Sequence, residues 1–244
     1  MRLSMARESA EIVALKRRCT TDLRFLCKTV LGMVDWDDDL HGDLLRELNM
    51  PDRNKLLLIP RGHLKSSIVT VGWTIQQVLI NPNIRILITN AVWDLSRNFL
   101  REAVGLLTDK SPLPDLFGQF NGKGSRFTED AITIAQRTIG TVKEPTIMTG
   151  GIEKAVTGMH FDIIIHDDLV EENNIGTPEQ IKKVIRFRNN CLDLLDPGGI
   201  EIIIGTRWAM GDLYGFLIEN EMTSLNGKPV SPADRAKWRE MLTS

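Results

Sequence analysis

Three stretches of this chain end in residues suited to phosphate chemistry. In LLLIPRGHLKSS, residues 56–67, an apolar run breaks at Pro60, turns through Arg61 and Gly62, and leads into Lys65 and Ser66. In FDIIIHDD, residues 161–168, three isoleucines precede Asp167 and Asp168. In IEIIIGT, residues 200–206, three more precede Gly205 and Thr206. An ammonium at a helix start can lie between the β- and γ-phosphates of a nucleoside triphosphate while loop amides hold the other oxygens. Ser66 offers a hydroxyl to Mg2+, and Asp167 holds that ion, in part through its waters, since Mg2+ prefers oxygen ligands. Asp168 is left to orient an attacking water and accept its proton, with a shorter reach than the glutamate more usual in that role. Thr206 comes close enough to sense the γ-phosphate if its strand inserts between the other two. The ligands these roles imply are a nucleoside triphosphate and Mg2+.

Each motif alone is weak. The usual phosphate loop has glycines six positions and one position before its lysine, and here Ile59 and Leu64 stand there. A lysine at a helix start, an aspartate pair at a strand end and a Gly-Thr turn each arise by chance. The ordered set of three carries the weight. His63 and His166 lie beside these residues without a second His or Cys at metal spacing, so they read as neighbours and not zinc ligands.

The elements that must position these residues alternate between buried strand and amphipathic helix, the signature of βαβ units and a parallel sheet. Residues 67–80 are nearly all apolar and β-branched, yet their length and their place behind Lys65 predict a buried helix. IRILITN follows as a buried strand, and DLSRNFLREAVGLL as a helix with Leu95, Phe99, Ala103, Leu106 and Leu107 inward. Residues 109–130 lack a sustained period and read as a surface excursion with short helical turns; Lys123 and Arg126 there read as solvated charges. ITIAQ and PTIMTG are two short strands. Thr177, Pro178 and Gln180 form a capping box and start a helix that runs to about Leu195, burying Ile181, Val184, Ile185, Cys191 and Leu192. Its other face presents Lys182, Lys183 and Arg186, read as solvated. Asp196-Pro197-Gly198-Gly199 is a turn before the strand that ends at Thr206, and DLYGFLIEN is a short helix. Upstream, residues 5–31 carry helical spacing in two pieces, with Ile12, Leu15 and Cys19 in the first and Leu23, Leu26, Cys27 and Val30 in the second. Asp37, Asp38 and Asp39 read as solvated carboxylates before an amphipathic helix ending near Asn49.

Bulk properties narrow the class. With 244 residues, 42% hydrophobic and 25% charged, the chain is long enough for one large core plus an attachment. A net charge of −2 excludes binding to nucleic acid through general basicity, so any polyanion contact must be a local patch. The three cysteines are widely spaced and form no CxxC pair, which fits a reducing cytoplasm. No apolar run approaches the roughly 20 residues that span a bilayer, so no membrane association is expected.

The stretches LLLIPRGHLKSS, ILITNAVWDLSRNFL, TGMHFDIIIHDDLVEE and PGGIEIIIGTRWAMGDLY together resemble the ATPase half of the large terminase subunit, the DNA-packaging motor of tailed bacteriophages. They span most of residues 20 to 220. Terminases commonly place an arginine four residues before the lysine, and Arg61 stands there. The resemblance implies an α/β P-loop NTPase fold of the additional-strand, RecA-like type, with a mostly parallel central sheet flanked by helices. It implies ATP hydrolysis coupled to translocation of double-stranded viral DNA into a procapsid. The partners implied are the portal protein, the small terminase subunit and further copies of the chain in a homo-oligomeric ring, with a monomer in isolation. The place of work implied is the host cytoplasm and, transiently, the procapsid. By carry-over, Arg61, Gly62, His63, Leu64, Lys65, Ser66 and Ser67 form the phosphate loop, Asp167 and Asp168 are the Walker B acids, and Gly205-Thr206 is the coupling motif. The expected organisation is an N-terminal helical attachment over 1–50, an ATPase core over 51–222, and a linker or truncated edge over 223–244.

Two features depart from that family. Its arginine finger lies shortly before the Walker B strand, and this chain has no arginine between Arg137 and Arg186. Lys154, Arg137 and Arg207 are the candidates. Large terminases also continue into a nuclease domain, and this sequence stops after the ATPase portion, as an isolated domain or fragment would. The alternatives are a catalytically weak scaffold of the same fold that binds DNA or portal, and a metal-dependent nuclease using Asp162, Asp167 and Asp168. The second is disfavoured because six residues of strand extend about 20 Å.

Overall fold

A computed structural model describes residues 9–154, 156–208 and 211–220, together with the backbone of 224–225 and 228–229. The expected linker over 223–244 therefore lies almost wholly outside the described residues.

Isoleucine triplets at 163–165 and 202–204 supply strands apolar on both faces, which only a sheet covered on both sides can accommodate. Such a sheet forms. Its seven strands run in the order β1-β7-β6-β2-β5-β4-β3. They are β1 (Asn54–Leu58), β2 (Ile86–Asn90), β3 (Arg126–Phe127), β4 (Ala131–Thr133), β5 (Ile147–Gly151), β6 (Phe161–Asp167) and β7 (Leu195–Gly205). β1, β7, β6, β2 and β5 are parallel, while β4 and β3 add an antiparallel edge. β7 lies between β1 and β6, the inserted strand that the position of Thr206 required.

The period of two divides the core. Ile86, Ile88, Ile163, Ile165, Ile202 and Ile204 face one helical layer, and Leu87, Ile164 and Ile203 face the other. Full burial of each such side chain contributes about 1.5–3 kcal/mol before conformational entropy is charged against it. The first layer holds α1 (Ala10–Thr21), α2 (Leu23–Phe25), α3 (Asp38–Asn49), α4 (Thr74–Ile80), α5 (Trp93–Thr108) and α6 (Leu113–Phe117). The second holds α7 (Pro178–Leu192) and α8 (Leu213–Asn220). Thr177 caps α7 through the Gln180 amide, and the Gln180 side chain returns the bond, as the capping box predicts.

Several local expectations need correction. The helix behind Lys65 begins as a π-helix over Ser66–Trp73 and becomes α-helical only in α4. A second π-helical piece, Leu26–Val30, packs on it, and a Cβ at Gly72 would stand 2.5 Å from Cys27 Sγ. Only glycine allows that approach. Leu95 is exposed rather than inward, and of the helically spaced Ile12, Leu15 and Cys19 only Cys19 is buried. Residues 196–199 are no turn between elements; they form an irregularity within β7, where the partner of β6 jumps from Leu195 to Ile200. α7 stops at Leu192, with Ile181, Ile185 and Leu192 only half-buried. The excursion over 109–130 contributes Leu113 and Phe120 to the core. Asp37 is the N-cap of α3, accepting from the amides of Asp39 and Leu40.

Candidate functional site

Parallel strands expose their carboxyl ends together, and an open α/β sheet binds ligands there. β1, β7 and β6 lie side by side, so the residues following them meet. The turn after β1 uses left-handed backbone at Gly62 (φ 80°) and Leu64 (φ 52°). Alternating handedness of this kind turns amides toward one point. Among the described residues, the amides of Gly62 and Leu64 have no acceptor. Lys65 follows and is only 6% exposed.

The Lys65 ammonium donates to Asp168 Oδ1 at 3.0 Å and to Thr206 Oγ1 at 2.6 Å. Thr206 ties the three strand ends together. Its hydroxyl donates to the Ile59 carbonyl at 3.1 Å, beyond β1, and its amide donates to Asp168 Oδ1 at 3.1 Å, beyond β6. Both donors to Asp168 use Oδ1. Oδ2 keeps no hydrogen bond among the described residues, and the side chain is one-third exposed. Asp168 is left-handed, with φ 47°. That conformation costs a non-glycine residue about 1–2 kcal/mol, but aspartate adopts it more readily than glutamate. Here is a physical reason for Asp in place of Glu.

Asp167 faces the other way, into the first helical layer. Ser66 Oγ donates to its Oδ1 at 3.0 Å, and Thr70 Oγ1 donates to its Oδ2. The carboxyl is wholly buried, and burial pushes its pKa from 3.8 up to about 6. The Thr70 hydroxyl opposes that rise, the Asp168 charge adds to it, and Ser66 and Lys65 oppose it. Two hydroxyls and a carboxylate make an all-oxygen set, the kind a hard divalent cation takes. Among the described residues, no three His, Cys, Asp or Glu side chains cluster as a metal cage. Mg2+ at a nucleotide needs none, because water and phosphate supply most of its ligands.

Lys65, Ser66, Asp167, Asp168 and Thr206 are therefore brought together. The remaining loop residues are not. Arg61 is exposed and stacks on the Trp208 ring, 4.2 Å from its centroid, and Ser67 is half-buried without a contact to the acids. His63 turns its Nδ1 to the Arg61 carbonyl at 2.8 Å. Of the finger candidates, Arg137 donates to the carbonyls of Glu144 and Ile84, just before β5 and β2 and so at the opposite ends of the parallel strands. Lys154 rests on the Trp93 ring and on Asp130. Arg207 follows Thr206, with one guanidinium nitrogen buried and unpartnered among the described residues. Asp162 lies at the far end of β6, bound by Arg85, which removes it from any shared metal site.

Four supporting residues escaped the sequence. Thr70 lies four residues after Ser66, a spacing that places both on one helical face. Asn90, a polar residue closing an otherwise apolar strand, donates to the Asp167 carbonyl. His41 of α3 accepts the Asp37 amide at Nδ1, so Nε2 carries the proton and donates to the His63 carbonyl at 3.1 Å. Tyr214 of α8 packs so closely on Gly205 that a Cβ there would stand 2.0 Å from its hydroxyl. The glycine before Thr206 is required by space.

No protein-family model matches this chain, and neither does the sequence of any curated protein. Among solved structures, the fold is similar to the large terminase ATPase domain of Thermus phage P74-26, with a TM-score of 0.51, 14% identity, and coverage of 91% of this chain and 90% of that one. An arginine-to-alanine mutant of the same domain matches with a TM-score of 0.50, 14% identity and the same coverage. What the likeness carries is the fold alone: an α/β architecture with a mostly parallel sheet flanked by helices. No helix among the described residues is long and apolar enough to cross a membrane.

Proposed function

We propose that this chain is the motor domain of a terminase large subunit, hydrolysing ATP with Mg2+ to drive double-stranded viral DNA into a procapsid. The observation that supports it most is the meeting of Lys65, Asp168 and Thr206 at the ends of three adjacent strands, with Asp167 held by Ser66 and Thr70 beside them.

The residues fit both groups they would have to hold. Ser66 and Asp167 would carry Mg2+, which when bound neutralises charge on the β- and γ-phosphate oxygens. The amides of Gly62 to Ser67 and the start of the helix behind them cradle phosphate oxygens. Lys65 moves its ammonium from Asp168 and Thr206 to the bridge between the β- and γ-phosphates, and Arg61 supplies a second cation from its seat on Trp208. Asp168, relieved of Lys65, orients the attacking water and accepts its proton as the bond from the γ-phosphorus to the β,γ-bridging oxygen breaks. Thr206, relieved of the same contact, reports the γ-phosphate to β7 and onward through Gly205 to Tyr214 of α8. The barrier to this reaction is lowered by position and fixed charge.

Ring assembly, contact with portal and small subunit, and work on the procapsid in the host cytoplasm follow from the same reading. A finger supplied by a neighbouring copy would make turnover depend on assembly. The test is ATP hydrolysis by the full chain with and without Mg2+, across protein concentration, and with double-stranded DNA added. Mg2+-dependent turnover that rises with concentration is expected. Nucleotide binding with no turnover under any of these conditions, including in the presence of the portal, would favour the scaffold reading instead.

A further inference from the structure

β2 and β6 pair in parallel register as far as Thr89 and His166. The next pair would be Asn90 and Asp167, and there their ladder stops, although β6 goes on pairing with β7 through Asp167 and Ile204. A side chain fills the gap. Asn90 Nδ2 donates to the Asp167 carbonyl at 2.7 Å. From the other neighbour, the Ile204 carbonyl accepts the Asp168 amide at 2.8 Å. The peptide joining the two acids is thus held at both polar atoms, its carbonyl by β2 and its N–H by β7. One residue on, the Ala91 amide reaches the Asp168 carbonyl at 3.4 Å.

That peptide decides where Asp168 points. Its rotation changes ψ of Asp167 and φ of Asp168 together, and Asp168 stands in a conformation that an unrestrained aspartate leaves for β or right-handed backbone. Asn90 is almost wholly buried, and its Oδ1 is committed to the Val92 amide at 2.9 Å, so the side chain cannot turn over without losing both bonds.

We infer that Asn90 is a positioning residue for the reaction, its side-chain amide holding the Asp167–Asp168 peptide in the rotation that aims the Asp168 carboxylate at the Lys65 site. It acts through the Asp167 carbonyl and not on the reacting atoms. The inference rests on the proposed role of Asp168 in hydrolysis. A merely structural Asn90 would serve α5 through Val92, and the two roles separate by substitution. Asn90→Ser keeps a short acceptor for the Val92 amide, since serine closes the same turn, but it cannot span to Asp167.

Two measurements on the full chain decide it. In kinetics, Asn90→Ser lowers kcat by about 10²-fold, the cost of misplacing a catalytic group by about 1 Å, with the affinity for an ATP analogue unchanged and the melting temperature lowered only by the few degrees that one lost buried hydrogen bond costs. In a crystal structure of the variant, Asp168 leaves the left-handed region and its contact with Lys65 is lost. An unchanged kcat overturns the inference, as does Asp168 retaining its left-handed φ and its Lys65 contact. Loss of nucleotide affinity in step with kcat also overturns it, in favour of the structural role. Should the unsubstituted chain hydrolyse no ATP, the ATPase reading fails separately, and the backbone of Asp168 in the variant still decides the role of Asn90.

Discussion

The same strands carry charge at both ends, and the two ends treat it in opposite ways. Where β2 and β6 begin, Arg85 grips Asp162 with Nε and Nη2, at 3.0 and 2.5 Å, and reaches Asp196 at 2.5 Å. The Asp162 hydrogen bond is the largest of the influences that hold the Arg85 guanidinium well above its ordinary pKa. That set is closed: planar donors meet two carboxylates. Where β1, β6 and β7 end, Lys65 has partners, but Asp168 Oδ2 and the amides of Gly62 and Leu64 are left over among the described residues. A satisfied charge set stabilises the fold, whereas donors and an acceptor that converge at a solvent-facing point are available to a ligand.

The largest test of this contrast is kinetic. Lys65→Ala and Asp168→Ala should each lower ATP turnover by about 10³-fold, the scale for removing one preorganised catalytic group, while leaving the fold intact. Arg85→Ala should leave turnover per folded molecule unchanged. Equal losses at both ends would break the comparison.

Next in size is Asp167. Its folded pKa lies above its ordinary value, so between about 3.8 and 6 the folded chain binds a proton that the unfolded chain has released. Stability from this group is fully present below that window and falls as pH rises through it. Asp167→Asn should therefore stabilise the protein without Mg2+ at pH 8, by up to about 3 kcal/mol, while making no difference near pH 3 and abolishing turnover. Thermal melting at the two pH values checks it. The same proton competes with Mg2+, so Mg2+ affinity should weaken about tenfold per pH unit below pH 6, measurable by calorimetry.

Arg85→Ala gives the smallest effect. Its partners are about one-third exposed, so solvent screens the pairs, and a cost of about 1–2 kcal/mol in urea unfolding is expected. A loss as small as that of an ordinary surface residue would mean the closed set stabilises nothing.

Much of this is legible in the sequence. The isoleucine triplets fixed where β6 and β7 are buried, and the polar residues that end them fall at the site because parallel strands share one carboxyl edge. The capping box at Thr177 is a local interaction and needed no context. What escaped depends on tertiary approach. The π-helical winding after Lys65 accompanies the packing of Gly72 against Cys27, which no periodicity of residues 66–80 reports. Leu95 fits an apolar stripe equally well inward or outward, and Ser96 is buried instead. The irregularity at Asp196–Gly199 looks like a turn in composition because glycine and proline mark both. Thr70 and Asn90 are ordinary residues until Asp167 is beside them. Arg61 reads from its spacing as a phosphate ligand, whereas its guanidinium stacks on Trp208, a contact between residues 147 positions apart that no local pattern reports.

A crystal of the chain grown with a non-hydrolysable ATP analogue and Mg2+ tests the central claim most directly. The account predicts that the Lys65 ammonium leaves Asp168 and Thr206 for the β- and γ-phosphates, with Mg2+ on the Ser66 and Asp167 side and Asp168 Oδ2 facing the γ-phosphate. A nucleotide bound elsewhere, or one bound at the loop with Lys65 still on Asp168, would contradict it.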